Sequence, residues 1–183
     1  MPPKIPDIIT YPTTFVATLR SNHRAISSAA SSERSRLSSS AVDLINVSAS
    51  ELGTDFETLL PLFLPTVLSL CSRPNKVFIT RAKASIQLII EGTQLASILP
   101  YLVQCLRDKS HMMRLAAAEG ILSCVNSINP PDLEKEIRAR DLESAIRATS
   151  RDANAEIRKV SRKIFDAYTV LLPHRVDRCV IDY

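Results

Sequence analysis

The chain has 183 residues, with 45% hydrophobic and 23% charged side chains, so it can bury a core of its own and is not globally disordered. Three glycines argue against a fold of tight β-turns, and sparse aromatics without tryptophan beside much Leu, Ile, Ala and Ser suit helix-on-helix packing. The net charge of +4 favours an acidic partner without choosing its class, and no apolar run reaches the ~20 residues of a membrane span.

Pro2, Pro3, Pro6 and Pro12 predict an extended lead-in over residues 1–13, without the apolar core of a secretory leader. A first helix is expected from Thr14 to about Ala29. A second begins near Ser32 as N-cap and stops at Gly53. Within it Leu37, Ala41, Leu44, Ile45 and Ser48 form a helical stripe, so the eight serines between Ser27 and Ser40 read as helix rather than linker. Asp55–Cys71 and Leu95–Leu106 follow, with Pro65 and Pro100 in matching places that suggest a bend common to both. Val77–Glu91, closed by Gly92, and His111–Ser127 are their partners. Asn129-Pro130-Pro131-Asp132 is the strongest break, after which Leu133–Thr149 and Ala155–Leu172 form a last pair. The helical domain is expected over 14–175, with 176–183 as a C-terminal edge.

One pattern returns along the chain. The turns Arg73-Pro74-Asn75-Lys76, Arg107-Asp108-Lys109-Ser110 and Arg151-Asp152-Ala153-Asn154 each precede a helix with an early arginine, at Arg81, Arg114 and Arg158. A Ser-rich copy with Arg36 comes first. The copies lie about 33 to 45 residues apart, the period of paired-helix solenoids, whose units stack and present a row of turns. The expected fold is all-α: a right-handed superhelix of about four helix pairs. Function is then sought on a surface.

Asp108 and Asp152 each stand six residues before an arginine. Arg114 and Arg158 read either as partner contacts or as an internal ladder between repeats; the ladder is favoured. Arg73, Lys76, Lys109 and Arg151 sit where helices reverse, and read either as solvated loop charges or as a basic ridge for an acidic surface. Arg158, Lys159, Arg162 and Lys163 form a second basic cluster, read as a wet face. Cys71, Cys105, Cys124 and Cys179 make no CxxC and read as small buried hydrophobes rather than metal ligands or disulfides. His23, His111 and His174 are scattered, and neither HExxH, GxSxG nor a phosphate loop occurs, so no enzyme activity, metal or cofactor is expected. Nucleic-acid binding would want aromatics or a denser basic stripe, and neither nucleic acid nor membrane is an expected partner.

Taken in order, several stretches resemble the TOG-like HEAT-repeat domain of the CLASP family of microtubule-associated proteins. They are Ser32-Glu33-Arg34-Ser35 with Ala41-Val42-Asp43-Leu44, Leu52-Gly53-Thr54-Asp55-Phe56, Leu64-Pro65 with Asn75-Lys76-Val77, Asp108-Lys109-Ser110 with Arg114, and Glu156-Ile157-Arg158 with Arg162. The resemblance covers about residues 30 to 175 and ends on the Phe165 to Pro173 segment. It implies a HEAT-repeat α-solenoid, a flat TOG-like paddle that binds αβ-tubulin or microtubules through the turns inside each helix pair. The contacting residues would be Arg73, Asn75 and Lys76, then Lys109 and Ser110, then Arg151 and Asn154. It further implies a cytoplasmic, cytoskeletal location at microtubules and spindle and a role in microtubule stabilisation, with no cofactor. The chain departs from the family in two ways. It lacks the tryptophan that tubulin-binding TOG domains place in their first turn, and it has about four helix pairs where six are usual. That reads as an N-terminally shortened domain or as a divergent one that does not grip free tubulin. The rival expectation is a HEAT scaffold that holds another protein on its concave face, near Lys83, Gln87 and Arg162.

Overall fold

Local chemistry sets the helix ends. A computed structural model describes residues 12–179, and the expected lead-in lies outside them save for Pro12 and Thr13, which are helical. The first helix expected is two: α1 (Pro12–Ser21) and α2 (His23–Ala30). The break falls at Asn22, whose side-chain amide donates to the Thr18 carbonyl at 2.9 Å and competes with the helical ladder. Helix α3 (Ser35–Leu52) is N-capped by Arg34 rather than by Ser32. The Ser32 hydroxyl instead accepts the Arg34 N–H at 3.1 Å and shapes the turn before the helix. Gly53, at φ 53°, ends α3 as expected.

The run expected as one helix over Asp55–Cys71 divides into a 3₁₀ segment Gly53–Thr58, α4 (Leu60–Ser69) and a 3₁₀ turn Leu70–Ser72. Pro65 is interior to α4, whereas Pro100 stands in the first turn of α6 (Leu99–Cys105), where a missing N–H costs nothing. The two prolines therefore do not occupy matching places in their helices. The 3₁₀ segment Ala96–Ile98 leads into α6 in place of helix.

Helix α5 (Lys76–Thr93) runs through Gly92 and is capped by Gln94 in the left-handed region at φ 56°. Gly92 serves packing instead of capping. A Cβ there would come 3.0 Å from the Ser50 Cα of α3. Helix α7 (His111–Ser127) has the expected ends. A single turn, α8 (Pro130–Leu133), precedes α9 (Glu136–Ser150) and α10 (Ala155–Leu171). A 3₁₀ segment, Pro173–Cys179, then folds back on α9 and α10.

The described residues make four helix pairs and no strand. The second helices of the pairs stack as α3, α5, α7 and α10, each on the next, while α2 packs on α4 and α6 on α9. One core runs between the layers, from Leu19 to Cys179. Phe56 and Phe63, both buried, stack with ring centroids 6.3 Å apart. The architecture is an all-α solenoid of paired helices. Because the stacked helices α5, α7 and α10 all begin at the turns singled out above, those turns lie along one edge. Leu37, expected on the buried stripe, is 46% exposed, since α3 is the first of the stacked helices among the described residues.

Candidate functional site

The edge is built the same way in its last two turns. In each, an aspartate carboxylate accepts the N–H two residues on: Asp108 Oδ1 from Ser110 at 2.7 Å, Asp152 Oδ1 from Asn154 at 2.8 Å. The residue so fixed then caps the next helix. Ser110 accepts the Met113 N–H at 3.4 Å and Asn154 accepts the Glu156 N–H at 2.8 Å. The arginine six residues after the aspartate closes the turn from the other side. Arg114 Nη1 donates to the carbonyls of Asp108 (2.9 Å) and Lys109 (3.2 Å); Arg158 Nη1 donates to those of Asp152 (2.7 Å) and Ala153 (2.9 Å). The Asp-to-Arg interval is thus a turn clamp.

It is also one rung of a ladder. Arg114 reaches Asp152 of the following repeat through Nε at 2.7 Å and Nη2 at 3.1 Å, a two-pronged bond between two adjacent turns. That hydrogen bond lowers the Asp152 pKa and raises that of Arg114. Arg114 therefore ties neighbouring repeats together, as the ladder expectation had it, whereas Arg158 bonds only within its own turn among the described residues.

The Arg73 turn differs because Arg73 itself, two residues before the cap Asn75, stands where the others carry aspartate. Asn75 still caps α5, accepting the Val77 N–H at 2.9 Å. Arg81 has no carboxylate in its own turn; its guanidinium lies 5.8 Å from the Phe78 ring centre and donates to the Ser35 carbonyl at 3.4 Å. Arg73 folds back as well. It pairs with Glu33 at 2.9 Å, donates to the Ser31 carbonyl and lies 5.0 Å from the Phe78 ring centre. Its charge is largely occupied inside the molecule.

The seven residues singled out from sequence so divide by geometry. Asn75, Ser110 and Asn154 are helix caps, and Arg73 is a strut between two turns. Lys76, Lys109 and Arg151 are exposed and form no ion pair with another described residue. Arg107, in the same turn as Lys109, is also exposed and unpaired among the described residues. It was missed, although it stands three residues before its helix cap, as Arg151 does. Arg34 and Arg36 extend the exposed cations to the turn before α3. The anchoring role of Phe78, buried beneath two guanidiniums, left no signal in the spacing.

Elsewhere the chemistry is structural. The four cysteines are free thiols, of which Cys71, Cys124 and Cys179 are buried. Burial raises their pKa values, pushing Cys71 up to about 12, so they stay protonated. No group of three His, Cys, Asp or Glu among the described residues is placed to hold a metal, and none of the described helices is long and apolar enough to cross a membrane. At the far end, buried Arg175 donates to Glu143 through Nε at 2.9 Å and Nη2 at 2.7 Å, and it also pairs with Glu136. The Tyr168 hydroxyl donates to the same Glu143 at 3.1 Å, so the C-terminal segment is tied down by a shared carboxylate.

The class of protein is an all-α solenoid of paired helices with a clamped, cation-bearing edge. The chain belongs to the CLASP N-terminal family, whose family model matches residues 8–182. No curated protein matches it significantly. Family membership gives the domain a microtubule-associated role.

Proposed function

We propose that this domain is a non-enzymatic module that binds αβ-tubulin or the microtubule lattice through the exposed cations of its turns. The carrying observation is the placement of Lys76 and Lys109. Lys76 is the first residue of α5, and Lys109 directly precedes the cap of α7. Helix N-termini carry partial positive charge, so a cation there is mismatched by about 0.3–1 kcal/mol. Arg151 sits at the end of α9, where a cation is favoured, yet it too points to solvent. Folding gives no reason for Lys76 and Lys109; an acidic partner surface does. The backbone beneath is held by the caps and arginine clamps, so little order is lost on docking.

Docking of this kind is ionic and shape-based, without a cofactor, and would serve microtubule stabilisation at the cytoplasmic cytoskeleton and spindle. Arg73 contributes through the Glu33 strut rather than by direct contact, and Arg107 joins Lys109. The test is a salt titration of the domain–tubulin complex. Affinity should fall steeply as ionic strength rises, and the fall should be shallower in a Lys76→Glu, Lys109→Glu double variant. An unchanged affinity and salt slope in that variant would exclude the turn cations.

A further inference from the structure

The outward side of α10 carries charges that the turns do not use. Arg158, Lys159, Arg162 and Lys163 are all exposed. Lys159 pairs with Glu156 at 2.8 Å, and Arg158 is tied to its own turn. Arg162 and Lys163 form no ion pair with any described residue. Of the neighbouring acids on α10, Glu156 is held by Lys159 and Asp166 lies one turn farther along the helix. Beyond Asp166 stands Val170, which at 83% is the most exposed of the large hydrophobic side chains. Lys163 and Val170, seven residues apart, lie nearly in line along the helix, with Arg162 and Asp166 beside that line. At 1.5 Å per residue, Arg162 and Val170 are separated by about 12 Å along the axis.

We propose that this strip binds an acidic peptide segment that ends in an apolar side chain. Carboxylates meet Arg162 and Lys163, and the apolar group covers Val170. An extended chain spans about 12 Å in about four residues. Asp166, between the two contacts, repels an acid placed there, so the intervening residues are neutral or basic. A nucleic acid fits less well. Its backbone has no use for Val170, and α10 turns its aromatic rings inward, with Tyr168 buried and Phe165 half-buried. This surface is independent of the turn cations.

The probe is a fluorescein-labelled peptide of three glutamates, three glycines and a leucine, followed by anisotropy at low salt. The Arg162→Glu, Lys163→Glu double variant should weaken binding about tenfold, and Val170→Ser about threefold. The Lys76→Glu, Lys109→Glu variant should bind the peptide like the parent, which separates this surface from tubulin docking. Unfolding midpoints of all three variants check that only surface has changed. Parent-like affinity in the α10 double variant would overturn the proposal. So would equal affinity for a peptide with glycine in place of leucine, or displacement by oligothymidylate of the same charge.

Discussion

Arg114 and Asp152 lie 38 residues apart and meet through two hydrogen bonds, of 2.7 and 3.1 Å, that join the first turn of α7 to the turn before α10. The same arginine holds the carbonyls of its own turn, and the same aspartate fixes the N–H of Asn154. One pair thus sets both the spacing and the shape of two neighbouring turns.

Asp152→Ala is therefore expected to cost about 2 kcal/mol, because it strands a mostly shielded guanidinium and frees the Asn154 turn. Urea unfolding measures it. A loss below about 0.5 kcal/mol would mean that the pair is only a surface contact.

Asn75→Ala, Ser110→Ala and Asn154→Ala should each cost about 1 kcal/mol, the worth of a helix cap. Each should leave tubulin affinity per folded molecule within about twofold. Denaturation and binding measured on the same preparations distinguish a cap from a contact. An affinity loss without a stability loss would return these residues to the binding surface.

Gly92→Ala and Gln94→Gly should act in opposite directions. The first drives a methyl into the Ser50 backbone, 3.0 Å away, and should destabilise by about 1–3 kcal/mol. The second relieves a left-handed glutamine and should stabilise by about 0.5–1 kcal/mol. Thermal melts of both decide the matter.

Hydrogen bonds from Arg175, then Arg140, depress the Glu136 pKa from 4.5 to about 2. A carboxylate with a folded-state pKa below its unfolded one stabilises the fold above the unfolded value, and that contribution disappears as pH falls through the folded value. Stability should accordingly decline between about pH 4.5 and 2, and the decline should be shallower in Glu136→Gln. Parallel acid limbs for parent and variant would show that Glu136 contributes nothing.

Much of this arrangement was legible in the sequence, and the exceptions share a cause. The bounds expected for α7 agree with the structure, where the Ser110 cap before an apolar helical run fixes its start. The recurring turns located the edge for the same reason. Gly92 misled because its purpose is set by Ser50, distant in sequence, rather than by its own helix end. Arg73 looked like a free ridge cation because Glu33, its partner, lies 40 residues upstream in the Ser-rich stretch. The division of the candidate residues into caps, struts and free cations needed packing between repeats, which spacing along the chain does not carry.

The central claim is that Lys76, Lys109 and Arg151 present free charge to an acidic partner. The most direct measurement compares the parent with a Lys76→Glu, Lys109→Glu, Arg151→Glu triple variant, by gel filtration with unpolymerised αβ-tubulin and by microtubule co-pelleting. Their unfolding is measured alongside. The account predicts that the parent binds in at least one assay, that the triple variant binds in neither, and that it unfolds no more easily than the parent. A triple variant that binds as tightly as the parent, or a parent that binds in neither assay, would contradict it.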